Sequence, residues 1–357
     1  MLITGVEPVV LRCPIGPPEA GQTKDWVNVL VHTDEGITGF GRGGDVAVIS
    51  GDLAPLLVGS DPRNIVSLWD RMYEAVWRYR GPNRAGMSSI GAVDVALWDL
   101  YGKVCGQPVW RLLGGFKDTV PAYADGIDFS DQSPEAVAAK IESHQALGFD
   151  AFKLHFHRSD PQEVLEKVRL CREVIGPDKR LMIDVWRAWS GPLAVDMVKK
   201  LEPFGLYWIE EPVRHDDEPM YMRMVQASTK ALVTGGESEG TLFGVRRLLN
   251  EGALQVVQTD ILEGGGYTGL RKIAALAEAY HLPFAPHGAQ YPDINCHMVA
   301  AVSNGFMVST CPHVEDFQIW SRLYSPPFIV ENGQIAMTEK PGLGLDLDWE
   351  FIDRHRV

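Results

Sequence analysis

The 357-residue chain carries 45% hydrophobic and 22% charged residues, the balance of a folded protein with one large domain or two modest ones. Its net charge of −14 argues against nucleic acid or an anionic membrane surface as a partner, since both need a basic face. If the ligand is an anion, a bound cation with a few lysines and histidines must reverse the field locally.

Residues 1–16 lack a basic region followed by a long apolar run, so no signal peptide is expected, and no stretch reaches membrane-spanning length. The cysteines (13, 105, 171, 296 and 311) are scattered, odd in number and without a Cys-x-x-Cys, which fits a reduced cytoplasmic chain better than zinc or disulfide chemistry. Val27–His32 and Ile37–Gly41 alternate around Asp34-Glu35-Gly36 and read as a β-hairpin. From Pro62 to Lys103 the apolar spacing is helical, and Arg111–Gly115 ends a further helix at glycine. These elements make the opening 118 residues an α+β unit.

From Val120 the pattern becomes rhythmic. Apolar runs fall at Val120–Ala124, Ala151–Phe156, Leu181–Val185, Leu206–Ile209, Leu232–Gly235, Leu254–Gln258, Leu282–Ala285 and Phe306–Thr310. Amphipathic stretches such as Pro134–Leu147, Gln162–Val174 and Leu193–Leu201 separate them. Strand–helix alternation predicts an α/β fold with a parallel sheet, and eight evenly spaced runs predict a closed barrel, with an open doubly wound sheet as the alternative. The Pro- and Gly-rich tail 326–357 is expected to pack back on the first domain. The expected division is therefore 1–118, 119–325 and 326–357.

In such a barrel, side chains at the C-terminal ends of the strands meet over one mouth. The third, fourth and fifth runs end near Asp184, Glu210 and Glu237, which are 26 and 27 residues apart (210 − 184 and 237 − 210). A single acid at a strand end often caps the next helix. Three in register would repel one another without a cation, and their hard oxygens suit Mg²⁺. The second run alternates Lys153, His155 and His157 on one face, with Phe152, Leu154 and Phe156 on the other. Lys153 could pair with a substrate carboxylate or with the acids, and either basic group could carry a proton. The sixth and seventh runs end in Asp260 and His287, an acid able to fix and raise the basicity of an imidazole beside it. Glu315 follows the eighth run and points at the same space. The glycine-rich segment 263–269 lacks Gly-Lys-Ser/Thr and is read as a tight turn rather than a phosphate loop.

The combination of Ile-Asp184, Ile-Glu210-Glu-Pro and Gly-Glu237, with Lys153-x-His155 before it and Asp260 and His287 after it, resembles the enolase superfamily, and most closely its mandelate racemase branch. The stretches 91–103 and 108–115 are similar to that family as well. The resemblance implies a (β/α)₇β barrel under an α+β capping domain, with the loop near residues 15–26 setting specificity. It implies Mg²⁺ on Asp184, Glu210 and Glu237, an Asp260–His287 dyad, and Glu315 hydrogen-bonded to the substrate carboxylate. Many members carry Lys-x-Lys on the second strand, where this chain has His155 in the second place. Many also have a small polar residue two positions after the first metal ligand, where Trp186 stands, so Trp186 and Trp189 are expected to narrow the pocket.

The expected reaction is removal of a proton α to a carboxylate, then loss of the β-hydroxyl from a sugar acid. Racemisation or epimerisation of a hydroxy acid is the alternative, and a non-catalytic, metal-dependent sugar-acid binding protein is a third reading. Polar residues 22, 24, 28, 78, 80, 83, 84, 215 and 290 could bind hydroxyls but are individually read as ordinary surface. The family resemblance also implies a symmetric homo-oligomer.

Overall fold

Alternate burial of Val9, Leu11 and Cys13 sets the pitch of a strand that hydrophobic periodicity had not flagged, β1 (Ile3–Pro14). It pairs antiparallel with β2 (Thr23–Thr33), which pairs with β3 (Thr38–Arg42) across the expected hairpin turn. The protein is described by a computed structural model covering residues 1–14, 23–81, 84–127, 132–156, 160–214, 218–312 and 322–357. Among the described residues a π-helical turn (Val48–Leu53) and four α-helices follow the sheet: α1 (Ala54–Leu57), α2 (Ile65–Arg80), α3 (Arg84–Cys105) and α4 (Val109–Leu113). The long predicted helix is thus split near residue 81, where Gly81 has a left-handed φ of 68°. The sheet lies close on α3 because Gly41 has no side chain there. A Cβ at that position would sit 2.1 Å from the Ala92 carbonyl oxygen.

The second sheet is parallel and curls into a barrel, so the closed form holds over the open one. Its strands are β4 (Thr119–Ile127), β5 (Ala151–His155), β6 (Arg180–Asp184), β7 (Trp208–Glu210), β8 (Leu232–Gly235), β9 (Val256–Val257) and β10 (Val308–Thr310), with β10 pairing back to β4. Seven helices alternate with them: α5 (Pro134–Ala146), α6 (Pro161–Ile175), α7 (Gly191–Leu201), α8 (Glu218–Gln226), α9 (Leu242–Asn250), α10 (Gly266–Ala279) and α11 (Pro292–Ala301). Ser133, Asp160 and Thr241 accept the first free amide hydrogens of α5, α6 and α9.

The predicted strand Leu282–Ala285 is reduced to a seam. Phe284 alone bridges Val257 on one side and Gly305 on the other. Pro283 and Pro286 have no N–H to give, which limits the ladder there. Phe284 N–H donates to the Asn304 carbonyl at 2.9 Å and Ala285 N–H to that of Val257 at 3.0 Å, and these bonds close the ring.

Two cores result. Phe152, Leu154 and their counterparts pack outward against the helices, while Tyr123, Ala151, Met182, Trp208, Val256, Ala285 and Met307 fill the barrel interior as a floor. The C-terminal segment meets both halves of the chain. Strand β11 (Gln334–Ala336) pairs with barrel strand β4, and α12 (Trp349–His355) packs on β1, where Val357 N–H donates to the Val10 carbonyl at 3.0 Å.

Candidate active site

Above the floor, strand register builds the site. His155, Asp184 and Glu210 are successive partners on β5, β6 and β7, so the three side chains stand side by side at one level. Lys153 lies two residues earlier on the same face of β5, fully buried. Its ammonium donates to Glu210 Oε2 at 2.8 Å and stands 3.3 Å from Asp125 Oδ2 and 3.7 Å from Asp184 Oδ2. Burial alone would lower the Lys153 pKa. The charges of Asp125 and Glu210 outweigh it and hold the ammonium well above its ordinary range. His155 contacts Asp125 through Nε2, and its Nδ1 lies 3.4 Å from Asp184 Oδ2.

The opposite wall carries the second imidazole. His287 Nδ1 is 2.9 Å from Asp260 Oδ2, and Nε2 is 3.0 Å from Glu237 Oε2. Asp260 is itself fixed by the amide of Leu262 at 2.7 Å. Burial would lower the His287 pKa, but Glu237 and Asp260 raise it to about 10. Glu237 is held low, to about 2. Burial opposes its ionisation, but His287, Arg187 and Lys153 overcome that cost.

The mouth also holds left-handed backbone at three non-glycine residues: Trp186 (φ 45°), Arg187 (φ 61°) and Glu211 (φ 47°). Such conformations cost about 1–2 kcal/mol each and persist where local bonds over-determine them. Here Trp186 N–H donates to Asp184 Oδ1 at 2.8 Å, and Arg187 N–H to the Glu211 carbonyl at 2.7 Å. The turn delivers the Arg187 guanidinium to Glu211 Oε2 at 2.6 Å and to Glu237 Oε1 at 2.7 Å.

The donor chemistry fits a hard divalent cation. Asp184 is pushed up to about 6, first by burial and then by the charge of Glu210 beside it. Glu210 Oε1 is buried and has no hydrogen-bond partner among the described residues. A carboxylate oxygen so placed needs positive charge. Among the described residues, one ligand atom from each of Glu210, Glu237 and His287 lies within 4.8 Å of the others. Asp184 falls outside that group because its oxygens are turned to the Trp186 amide, His155 and Lys153.

Several of these groups line a cavity of about 690 Å³ between barrel and N-terminal sheet. Asp125, His155, Asp184, Glu237 and His287 form its barrel side, and Lys24, Trp26, Asn28, Arg42, Arg84, Gln290 and Tyr291 are among the other lining residues. Of the two expected tryptophans, Trp186 lines it, while Trp189 is buried in the outer core. Glu315 and His157 lie outside the described residues, as do Gln22, Asn83, His215 and most of the loop near 15–26.

Sequence reasoning missed four buried or half-buried groups. Asp125 contacts Lys153 and His155. Glu211 and Arg187 brace Glu237. Glu263 pairs with Arg84 at 2.7 Å, and burial, with Asp260 nearby, pushes it up to about 7. Asp125 was legible by the strand-end rule, since it directly follows the first run. Nothing in the sequence marks Arg187.

A parallel barrel with acids, a lysine and two histidines at its mouth is the framework of an enzyme that moves protons beside a bound cation. Residues 11–114 match the mandelate racemase/muconate lactonizing enzyme N-terminal domain, and residues 136–351 match the enolase C-terminal domain-like family. The chain belongs to the mandelate racemase branch of the enolase superfamily. It is 34% identical to a 3,6-anhydro-alpha-L-galactonate cycloisomerase from Streptomyces coelicolor, covering 93% of this chain and 91% of that protein. It is also 34% identical to a D-galactonate dehydratase from Xanthomonas euvesicatoria, covering 92% and 90%. Among solved structures, it superimposes on a mandelate racemase/muconate lactonizing enzyme from a marine actinobacterium in complex with magnesium. There the TM-score is 0.90 at 28% identity, covering 100% of this chain and 99% of that one. A Streptomyces coelicolor racemase with bound magnesium gives a TM-score of 0.89 at 29% identity and full coverage of both chains.

Proposed function

We propose that the protein is a Mg²⁺-dependent dehydratase of a sugar acid, with Asp184, Glu210 and Glu237 as metal ligands. The observation that carries this reading is one cavity lined by His155, Asp184, Glu237 and the Asp260-bound His287, with Lys153 buried against Glu210 and a Glu210 oxygen left for a hard cation. Imidazole is also a metal ligand, but Mg²⁺ favours oxygen, so Asp184 rather than His287 is assigned as the third ligand. When bound, Mg²⁺ supplies positive charge against the substrate carboxylate and makes its α-proton more acidic. Lys153, buried against Glu210 and Asp184, adds a fixed positive charge behind those acids. With Glu237 engaged as a metal ligand, the charge that most raises the His287 pKa would be withdrawn from Nε2, and His287, oriented by Asp260, would take the α-proton there and return it to the departing β-hydroxyl, which leaves as water. The enol that remains ketonises to a 2-keto-3-deoxy acid. The dehydratase among the relatives supports this outcome. Glu315 is proposed to bind the substrate carboxylate. The division at residues 118 and 325 is kept as the working domain assignment, and a homo-oligomer as the working assembly.

A racemase or epimerase is the second reading, favoured by one observation: His155 offers a second imidazole on the wall facing His287. The two are separated by incubating acid sugars with enzyme and Mg²⁺ in D₂O. Dehydration gives keto acid; racemisation gives deuterated starting acid with no loss of water. If no sugar acid reacts in either way, the proposal fails.

A further inference from the structure

Asp125 lies near the C-terminal end of the first barrel strand, β4, and has no part in the reaction described above. Its side chain is 4% exposed. One oxygen accepts from the Gly126 amide at 2.7 Å and from His155 Nε2, and the other accepts from the Ser309 hydroxyl and faces the Lys153 ammonium at 3.3 Å. Four donors on one carboxylate make a fixed acceptor. Burial works against its ionisation, but Lys153 and His155 hold its pKa far below the usual range.

The arrangement repeats, on the other wall, what Asp260 does for His287. With Nε2–H given to Asp125, the nitrogen of His155 turned toward Asp184 is Nδ1. A lysine in that place would need no such partner, because its ammonium donates in every direction. An imidazole has two inequivalent nitrogens, and an acceptor behind the ring is what decides which one faces substrate. The same carboxylate, with Glu210, steadies the Lys153 ammonium.

We infer that Asp125 is a positioning residue that sets the ring orientation of His155 and the place of the Lys153 ammonium, so that the cavity is walled by two Asp–His pairs. The kinetic part of this inference rests on the dehydratase reading, and the geometric part does not. The test uses full-length protein labelled with ¹⁵N-histidine, without added metal, and long-range ¹H–¹⁵N spectra of parent, D125N and S309A. D125N should displace both ring nitrogens of His155 and leave those of His287 in place. S309A, which loosens Asp125 but keeps its charge, should displace His155 less and in the same sense. Mg²⁺ binding by calorimetry should stay near the parent's, because Asp125 is not a ligand. In the dehydration assay D125N should lose on the order of 10- to 100-fold in kcat with KM nearly unchanged, the signature of a misplaced group rather than a lost contact. If D125N does not fold, S309A decides alone. Unmoved His155 resonances in the variant that folds overturn the inference. Should the parent dehydrate no sugar acid, the functional reading falls, and the spectra alone still support or overturn the geometry.

Discussion

Arg42 should be among the most costly residues to remove, and the structure says by how much. It ends β3, its side chain is 3% exposed, and it donates to both oxygens of Asp293 at 2.9 and 3.0 Å and to the Gln290 carbonyl at 3.0 Å. Asp293, fully buried at the start of α11, also accepts from the Tyr324 hydroxyl at 2.5 Å. One ion pair thus ties the N-terminal sheet to α11, and through Tyr324 to the segment that follows β10. At 2.9 Å and an effective dielectric of about 20, its attraction is roughly 6 kcal/mol before desolvation is deducted. Arg42→Met leaves the carboxylate buried with a single hydroxyl donor, a change that typically costs about 3–5 kcal/mol. For a chain of 357 residues, unfolding entropy near 2 cal/mol/K per residue turns that into a drop in Tm of about 4–7 °C. Asp293→Asn should restore much of the loss when added to Arg42→Met, because the amide oxygen still accepts from Tyr324 and no charge is stranded. Urea unfolding of parent, both single variants and the double variant measures this directly. An Arg42→Met protein within about 1 kcal/mol of the parent would refute the reasoning, and so would a double variant no more stable than Arg42→Met alone.

Four further outcomes are expected. His297 is buried between the Trp110 amide and the Leu343 carbonyl, and burial lowers its pKa to about 4. The unfolded chain therefore binds a proton that the folded one refuses, so stability should fall as pH drops from about 6.5 to 4, by up to about 3 kcal/mol. His297→Gln should lack this component in urea titrations at both pH values, and an unchanged pH slope would count against it. His287→Asn should lose on the order of 10²- to 10⁴-fold in α-proton exchange in D₂O, and residual exchange near the parent rate would remove His287 as the base. Lys153→Met should lower keto-acid formation on the order of 10²- to 10³-fold, read by product assay. Glu210→Gln should abolish the calorimetric signal of Mg²⁺, and chelation of the parent should stop turnover reversibly. Unchanged Mg²⁺ binding in Glu210→Gln would dismiss the assigned ligand set.

The barrel was legible because its strands are short apolar runs whose spacing survives in sequence, and β8 falls on the expected residues. The same rhythm located Lys153, His155, Asp184, Glu210, Glu237, Asp260 and His287 near strand ends, and the structure gathers them at one mouth. Strand β1 was missed because it mixes its buried positions with Gly5, Glu7 and Pro8. The bracing groups were missed for a different reason. Asp125 meets Ser309 across 184 residues, and Arg187 reaches Glu237 through two left-handed residues. Neither relation follows from local periodicity. The seam at Phe284 was over-read as a strand because hydrophobicity does not register missing amide hydrogens, whereas two prolines do.

That seam has a practical consequence. A wall held at Phe284 by single bridges on each side should open at lower free energy than the ladders from β4 to β8. His287 stands three residues beyond it, so a ligand gripped by His287 and by the acids of β6 and β7 would clamp the weakest part of the ring shut. Occupancy should then register as heat resistance, at about 2.7 kcal/mol for a ligand present at 100 times its Kd. Melting temperature in a library of acid sugars thus becomes a direct way to find what this cavity holds, before any product is sought.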